Sequence, residues 1–225
     1  MAALRLDLHV HSHHSPDSRL SLGDIAAHVS ALGLDGFALT DHDTVAGHAE
    51  IPAVQAKFPN LVILPGVEVS TTEGHLLAYG LREAPPAHRP VAETIDWVRG
   101  RGGTPVLSHP FRFVHGVGRA VAESARVPAL ETVNGHNSPG PNARAAEVAR
   151  RRGLGATGGS DVHALSDIGR ALTVFEGGVP NVEAILASLG AGRTVASGRS
   201  LSAGERFRYE WRGIVLRVRR GFRPI

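Results

Sequence analysis

The stretch that most constrains this chain lies near its start, at residues 4–12, whose sequence is Leu-Arg-Leu-Asp-Leu-His-Val-His-Ser. Apolar residues alternate here with polar ones, a period of two that predicts a β-strand. Side chains two residues apart on a strand share a face, so His9 and His11 project together from its C-terminal end. As neutral ligands, two adjacent imidazoles suit Zn, Mn or Fe, although an edge strand with two solvated histidines is the alternative interpretation.

Length and composition narrow the class of protein. At 225 residues the chain fits one large α/β domain or two small ones, with enough apolar residues for a full core. No apolar run approaches a membrane span and no signal-peptide pattern is present, so we expect a cytoplasmic protein with no membrane partner. Cysteine is absent, which excludes disulfides and thiolate ligands and leaves His, Asp and Glu to hold any metal.

The positive charge of the chain is concentrated at its end. Seven arginines stand between Glu205 and Ile225 against two glutamates, a segment charge of +5 within a total of +3. Residues 1–204 therefore carry about −2, which argues against a basic nucleic-acid-binding module in the body of the chain. Aromatic and aliphatic residues alternate with the arginines, which predicts an amphipathic β-hairpin. We expect this hairpin to close or cover the fold without forming an independent domain; phosphate or nucleic-acid binding is the alternative.

Short apolar segments alternate with helical patterns before residue 205. The predicted strands cover residues 4–12, 36–39, 61–64, 73–79, 104–107, 129–133, 154–157 and 171–175. The predicted helices cover residues 21–33, 47–57, 91–101, 117–126, 141–152 and 182–189. This alternation predicts parallel β/α units, arranged as a closed barrel or as an open sheet.

The positions of the chemically active residues favour the barrel. The C-terminal ends of successive strands carry His9/His11, Asp41/His42, Glu68, His109 and Asp161/His163. In an open sheet only the strands near the switch point could bring such residues together. In a closed barrel every strand end faces one central site, so we predict a barrel domain over residues 1–204.

The mouth of this barrel would gather nine metal-ligating side chains. They are His9, His11, Asp17, His42, Glu68, His75, His109, Asp161 and His163. Catalytic sites typically use about three protein ligands per ion, so this set implies two or three divalent ions, with Mn, Fe and Zn all suitable. A carboxylate such as Glu68 can bridge two ions, which an imidazole cannot do. Clustered divalent ions suit phosphate-ester hydrolysis, because they bind phosphoryl oxygens and turn water into a nucleophile.

Five segments resemble, in order, the motifs of the PHP (polymerase and histidinol phosphatase) family. They are Asp-Leu-His9-Val-His11-Ser, Thr-Asp41-His42-Asp, Pro-Gly-Val-Glu68, Ser-His109-Pro and Gly-Ser-Asp161-Val-His163. The resemblance covers residues 4–175. It implies a distorted (β/α)7 barrel with a two- or three-metal site that hydrolyses phosphate esters.

The resemblance also implies a ligand set for each ion. It assigns His9, His11, Glu68 and Asp161 to one ion, Glu68, His75 and His109 to a second, and Asp17, His42 and His163 to a third. Asp17 stands in Ser15-Pro-Asp17-Ser, whereas many members have Ser-Asp-Gly here, so His13 and His14 of the same loop are alternatives. Glu68, Asp161 and His109 are the expected catalytic residues.

Further residues are candidates for substrate binding. Arg112 and Arg119 follow the Ser-His-Pro motif closely, and an arginine fork matches phosphate oxygens, although a surface role is the alternative for each. His115 and His136 lie in predicted loops after strands and could reach a substrate. His48 could contact the ligands without binding a metal ion itself.

The leading expectation is a PHP-type metal-dependent phosphoesterase. Its substrate would be a small phosphorylated metabolite or a nucleotide, attacked by metal-activated hydroxide at a di- or trinuclear site. One alternative is an exonuclease or oligonucleotide phosphodiesterase that uses the arginine-rich hairpin as a strand guide, so nucleic acid is a less favoured partner. A second alternative is a non-catalytic metal-binding interaction module. The sequence leaves the oligomeric state open.

Overall fold

The structure is a computed structural model that describes residues 3–177, 179–202 and 204–205. Its strands are β1 (Leu4–Val10), β2 (Gly36–Leu39), β3 (Val62–Ser70), β4 (His75–Tyr79), β5 (Thr104–Leu107), β6 (Ala129–Asn134), β7 (Gly155–Gly159), β8 (Ala171–Phe175) and β9 (Val195–Gly198). Its α-helices are α1 (Leu22–Ala31), α2 (Ile51–Lys57), α3 (Val91–Gly100), α4 (Gly118–Ser124), α5 (Pro139–Arg152) and α6 (Val182–Gly190). Short 3-10 helices cover Ala46–Glu50 and Leu165–Asp167. None of the helices in these ranges has the length and apolar character needed to cross a bilayer.

The sequence pattern located most of these elements. Ser21 caps α1 as predicted, because its side chain accepts a hydrogen bond from the backbone N–H of Asp24. The pattern missed β9, a short strand whose first residue, Val195, is 53% exposed, so that no apolar alternation marks it. The arginine-rich hairpin predicted for residues 205–225 lies outside the described residues except for Glu205. That hairpin and the domain boundary at residue 204 therefore stay predictions.

The nine strands form one sheet in the order β7-β6-β5-β4-β3-β2-β1-β8-β9. β1, β2 and β3 run parallel, as do β5, β6 and β7. β4 runs antiparallel to both of its neighbours, and β8 runs antiparallel to β1 and β9. The sheet is therefore mixed and not uniformly parallel. The reason at β4 is its connection: residues 71–74 are too few for the crossover that a parallel neighbour requires.

The sheet curves until β7 approaches β1 and β8. The backbone N–H of Asp161, just after β7, donates to the carbonyl oxygen of His9 at 2.8 Å. The N–H of Gly158 donates to the hydroxyl of Thr173 at 2.9 Å, and that hydroxyl donates back to the Gly158 carbonyl. These bonds nearly close the sheet, so the prediction of an α/β barrel-like fold is confirmed.

Apolar side chains fill the barrel and the layer between sheet and helices. Leu6 and Leu8 of β1 pack in one buried cluster with Tyr79, Phe175 and Ile185, the last from α6. The buried faces of α1 and α2 contribute to a second cluster outside β1 and β2. Each fully buried leucine contributes about 1.5–3 kcal/mol, so β1 is anchored by its apolar residues before its histidines are reached.

Two strands change register close to the residues of greatest chemical interest. The pairing of β1 with β2 shifts between Asp7 and Val10, and that of β6 with β7 shifts between Glu131 and Val133. Such bulges re-aim side chains along a strand. Leu8 and Val10, which would share a face on a regular strand, accordingly pack in different clusters. The alternation seen in the sequence is therefore interrupted where the histidines begin.

The closure of the barrel can be tested at Gly159. An added Cβ would lie 2.3 Å from Cβ of His9 and 2.8 Å from Oε1 of Glu131, so Gly159→Ala should lower the free energy of unfolding by about 1–3 kcal/mol or more. Gly140→Ala on α5 is the matched control, because nothing lies within 4 Å of its added Cβ. This control should be neutral or stabilising by up to about 1 kcal/mol in urea denaturation. Equal stabilities for the two variants would contradict the close approach of β7 to β1.

Candidate metal centre

Glu68 lies at the centre of the candidate site, near the end of β3, with only 1% of its surface exposed. Its Oε2 atom is 2.9 Å from Nε2 of His9, 3.3 Å from Nε2 of His11 and 3.4 Å from Nε2 of His42. The first two histidines come from the end of β1, and His42 follows β2. Neighbouring strand ends thus direct three imidazoles at one carboxylate oxygen.

The other oxygen of Glu68 faces a different group. Its Oε1 atom is 2.9 Å from Nδ1 of His75 and 3.1 Å from Nε2 of His109, and it accepts a hydrogen bond from the Ser108 hydroxyl at 2.9 Å. His109 follows β5, whereas His75 is the first residue of β4. Because β4 is antiparallel to its neighbours, its start lies at the edge where the parallel strands end.

Asp161 forms the opposite wall of the cluster, just after β7. Its Oδ1 atom lies 3.4 Å from Nε2 of His11 and 3.8 Å from Nε2 of His9. Its Oδ2 atom accepts hydrogen bonds from Arg112 at 2.5 Å and from the Asn134 amide at 3.3 Å. The backbone of Asp161 has a φ of 58°, a left-handed conformation that is uncommon for a residue with a side chain. One oxygen of Asp161 therefore faces the histidines, and the other is held by Arg112 and Asn134.

Asp17 brings the loop after β1 into the cluster. Its Oδ2 atom lies 2.9 Å from Nε2 of His163 and 3.4 Å from Nε2 of His42, and its Oδ1 atom accepts from the Ser15 hydroxyl at 2.7 Å. Burial would raise the pKa of Asp17, but hydrogen bonds from the two histidines hold it well below its usual range. The alternatives that the sequence offered, His13 and His14, instead face Glu50.

The central carboxylates are held in the ionised form. Burial alone would raise the pKa of Glu68, but the charges of His9 and His42 hold it well below its usual range. Burial likewise opposes ionisation of Asp161, and Arg112 and His9 more than reverse that effect on its pKa. The site therefore offers two buried negative charges to any cation that enters it.

The pKa values of the imidazoles are shifted in opposite directions by their surroundings. Burial would lower the pKa of His42 and His163, but carboxylates raise both to about 9: Glu68 acts first on His42, and Asp17 acts first on His163. Burial, and after it a nearby guanidinium, lowers the pKa of His109 to about 4. Since a metal ion binds neutral imidazole, ion binding would displace the protons that the raised values imply.

A buried nitrogen provides the test of whether these residues fit a metal. Nε2 of His11 makes no hydrogen bond to any residue that the structure describes. It faces Oε2 of Glu68 and Oδ1 of Asp161, and with His9 these donors lie within 4.8 Å of one another. An unsatisfied buried polar atom costs about 1–3 kcal/mol, and a divalent ion at this point would satisfy it. The donor set therefore fits a metal ion.

The structure brings all nine expected ligands into one contiguous cluster. Two further donor groups within 4.8 Å consist of His11, Asp17 and His42, and of His42, Glu68 and His75. These groups differ in part from the sets that the resemblance implied: His42 takes the place of His109 in one, and His11 that of His163 in the other. His109 and His163 nevertheless contact Glu68 and Asp17 directly. The assignment of ligands to individual ions stays a prediction.

Sequence reasoning missed Glu131, a buried carboxylate on β6. Its Oε1 atom lies 2.9 Å from Nδ1 of His9, and its Oε2 atom accepts from the backbone N–H of His109 at 2.7 Å and from the Asn134 amide at 3.1 Å. A carboxylate on the far nitrogen of a ligating histidine fixes the ring and its tautomer. The one signal in the sequence was an acidic residue inside the otherwise apolar segment Ala-Leu-Glu-Thr-Val.

The arginines proposed for substrate binding lie in different environments. Arg112 reaches the cluster, where it donates to Asp161, Asn134 and Asn137. Arg119 lies on α4, where its exposed guanidinium pairs with Glu123 at 2.8 Å. No ion pair or hydrogen bond in the described ranges joins Arg119 to the cluster.

The remaining candidate histidines surround the cluster. The ring of His136 stacks on His163 at 5.2 Å between centroids, and the ring of His115 stacks on His75 at 4.5 Å. His48 points to the backbone of β3, with its Nε2 atom 2.8 Å from the Gly66 carbonyl oxygen. Each of the three therefore contacts a residue or strand that builds the site.

Comparisons with known proteins agree with this site. The family model described as PHP domain matches residues 7–99, and the model described as PHP-associated matches residues 139–194. The chain belongs to the PHP family. The first match holds the ends of β1, β2 and β3 together with His75, and the second holds Asp161 and His163. The resemblance seen in the motifs is thus confirmed.

Individual relatives place this PHP barrel among known proteins. An uncharacterised protein of Methanocaldococcus jannaschii is 30% identical over 118 residues, which are 48% of this chain and 68% of that protein. A two-domain Bacteroides vulgatus protein containing a predicted PHP-like metal-dependent phosphoesterase has a TM-score of 0.71 at 19% identity, covering 88% of this chain and 65% of that one. The lesion-specific endonuclease PfuEndoQ from Pyrococcus furiosus has a TM-score of 0.67 at 17% identity, covering 88% and 59%. At such identities the two structural likenesses concern the fold alone.

The supporting role of Glu131 can be tested through metal affinity. Glu131→Gln should weaken metal binding by about 10–100-fold, because the amide removes the charge that orients His9 and places a donor against the His109 N–H. Calorimetric titration of the metal-free protein with Zn²⁺ measures this change. Glu123→Gln on the exposed face of α4 is the control and should bind as the parent does. Unchanged affinity in Glu131→Gln would contradict the orienting role.

Proposed function

We propose that this PHP-family protein hydrolyses phosphate esters in a metal-dependent reaction, with a small phosphorylated metabolite or a nucleotide as its substrate. The observation that carries the proposal is the position of Glu68, whose two oxygens face two separate groups of imidazoles. A carboxylate so placed can bridge two ions, and paired divalent ions are typical of enzymes that hydrolyse phosphate esters. The described character of the Bacteroides vulgatus protein supports the same class.

The proposed ligands follow the family motifs. His9, His11, Glu68 and Asp161 would hold one ion, Glu68, His75 and His109 a second, and Asp17, His42 and His163 a third. Mn, Fe or Zn bound by these donors would polarise the phosphoryl oxygens and lower the pKa of water, which supplies a nucleophile at neutral pH.

We assign catalytic roles to Glu68, Asp161 and His109. Oδ1 of Asp161 faces the histidines while Arg112 and Asn134 fix Oδ2, so Oδ1 is the atom that would bind the ion, and its second lone pair could accept a hydrogen bond from an attacking water. The lowered pKa of His109 keeps its ring neutral at pH 7, the form in which it can act as a ligand.

Arg112 is the residue that best fits a role in binding the phosphate. Three of its N–H bonds are used within the protein, and a guanidinium has five, so two can serve a phosphate oxygen. His136, stacked on His163, is a second candidate for substrate contact. Arg119 is a weaker candidate, because it pairs with Glu123 on its own helix.

A second candidate function is cleavage of nucleic acid. The structural likeness to the endonuclease PfuEndoQ and the seven arginines of residues 205–225 favour it. The net charge of about −2 on residues 1–204 argues against it, since a nucleic-acid groove needs a positive surface. A small phosphorylated substrate therefore remains the preferred partner.

The proposal is tested by phosphate release from metal-free protein reconstituted with Mn, Zn or Fe. The substrates are histidinol phosphate, nucleoside 5′- and 3′-phosphates, cyclic phosphodiesters and short oligonucleotides. Glu68→Gln should lower kcat by more than the roughly 100-fold that loss of a supporting partner can cost, because both ion groups share this carboxylate. Glu147→Gln, which changes an exposed carboxylate on α5, should retain the parent rate.

Failure of every substrate with every metal, in protein that binds the ions, would overturn the phosphoesterase proposal. It would favour a metal-binding interaction module instead. Activity that survives Glu68→Gln would show that the reaction does not depend on the bridging carboxylate.

Salt dependence separates the two enzymatic candidates. A nuclease that contacts many backbone phosphates loses affinity steeply with salt, by about 10³–10⁵ between 50 and 200 mM for about six to ten contacts. Hydrolysis of a single-phosphate metabolite should change far less, because few counterions are released. We expect the weaker dependence in measurements of kcat/KM across this range. A steep loss would assign the activity to nucleic acid.

A further inference from the structure

A second group of metal-ligating side chains lies away from the cluster around Glu68. His13 and His14 belong to the loop after β1, and Glu50 ends the 3-10 helix Ala46–Glu50. Nε2 of His14 lies 2.6 Å, and Nε2 of His13 lies 3.5 Å, from the same atom, Oε1 of Glu50. The centroids of the two rings are 4.2 Å apart. Three donors from two separate elements therefore converge on one point.

This outer group is distinct from the ligands of the main cluster. No ion pair or ring contact within the described ranges joins His13, His14 or Glu50 to Glu68 or Asp17. The sequence had offered the two histidines only as substitutes for Asp17, and the structure turns them the other way. They are therefore available for a separate ion.

Packing holds His14 in this direction. Cδ2 of His14 and Oδ2 of Asp41 both lie beside Gly47, 3.1 and 2.9 Å from where its Cβ would be. Asp41 also accepts hydrogen bonds from the backbone N–H and the hydroxyl of Ser12, at 2.6 and 2.8 Å, which fixes the start of the loop. Buried neighbours thus limit the direction of His14, whereas the side chains of His13 and Glu50 are 43% and 39% exposed.

The distances suit a tetrahedral ion. Zn²⁺ binds imidazole nitrogen and carboxylate oxygen at about 2.0–2.2 Å, which places two tetrahedral ligands about 3.4 Å apart. The 3.5 Å between His13 and Glu50 already matches, and the hydrogen bond between His14 and Glu50 would open by about 0.8 Å to admit the ion. Glu50 is 39% exposed, so its side chain can make this movement.

We propose that His13, His14 and Glu50 form a separate binding site for a divalent transition-metal ion, with Zn²⁺ as the ion that fits best. Two imidazoles and one carboxylate favour Zn²⁺ over Mg²⁺, which prefers oxygen ligands alone. The fourth position belongs to water. The bound ion ties the loop at residues 12–20, which also carries Asp17, to the 3-10 helix.

The test counts bound Zn²⁺ in the full chain at buffered micromolar free metal. It uses a parent that carries both Glu68→Gln and Asp17→Asn, because each of the three proposed inner ions loses a carboxylate ligand in it, so that loss of an inner ion is not mistaken for loss of the outer one. His14→Gln and Glu50→Gln, each added to this parent, should bind one Zn²⁺ fewer. When Co²⁺ replaces Zn²⁺, the visible absorption of each variant should be weaker than that of the parent by the contribution of one bound ion. Circular dichroism checks that each variant is folded.

His28→Gln on α1 is the matched control, because it removes an imidazole that belongs to neither group and should leave the Zn²⁺ count unchanged. Zn²⁺ should also slow hydrogen exchange of residues 13–20 in the control but not in Glu50→Gln. If either His14→Gln or Glu50→Gln binds as many ions as the control, the outer site does not exist. Such a failure would leave the proposed phosphoesterase activity of the main cluster untouched.

Discussion

The structure depends on Glu68, a buried carboxylate whose ionised form would be unstable without the polar groups around it. Removing an ionised group from water costs several kcal/mol unless opposite charges and hydrogen-bond donors surround it. Glu68 is 1% exposed, and imidazoles from the ends of β1, β2 and β5 and from the start of β4 surround it. The barrel supplies this environment because β1 to β5 are consecutive neighbours in a curved sheet, so that these strand ends and the start of β4 lie on one rim. The groups that make the burial of Glu68 possible are therefore the same groups that form the candidate cation site.

Two local irregularities adapt a regular barrel to this task. The bulge in β1 separates Leu8, which packs in the barrel core, from the histidines that follow it, and the bulge in β6 lies between Glu131 and Val133. Without a change of register, the apolar alternation would continue to the rim of the barrel. The antiparallel β4 adds His75 at the same rim from a strand start. The site therefore arises where the regular pattern of strands is interrupted.

The sequence predicted the parts of this arrangement that depend on local pattern. Apolar periodicity located β1 to β8, and seven of the nine ligands that the structure brings together stand at or just after the ends of those strands, whereas His75 begins β4 and Asp17 lies in the loop after β1. It did not predict the bulges, since register depends on partners distant in the chain, nor β9, which is mostly exposed. Glu131 was missed for a related reason. An acidic residue in an apolar strand can be recognised as part of the site only when the fold is known to place it beside His9.

Backbone strain at the rim is maintained by a set of buried carboxylates that are not themselves candidate ligands. His109 and Asp161 have φ values of 23° and 58°, conformations that cost about 1–3 kcal/mol each for residues with side chains. Glu131 accepts the N–H of His109, and Asp7 accepts the N–H of the residue before Asp161 at 2.8 Å. Burial raises the pKa of Asp7 to about 6, a sign that its position is itself costly. Backbone strain and buried charge thus occur together at the rim. This is the place where rigid side chains would be needed to bind an ion.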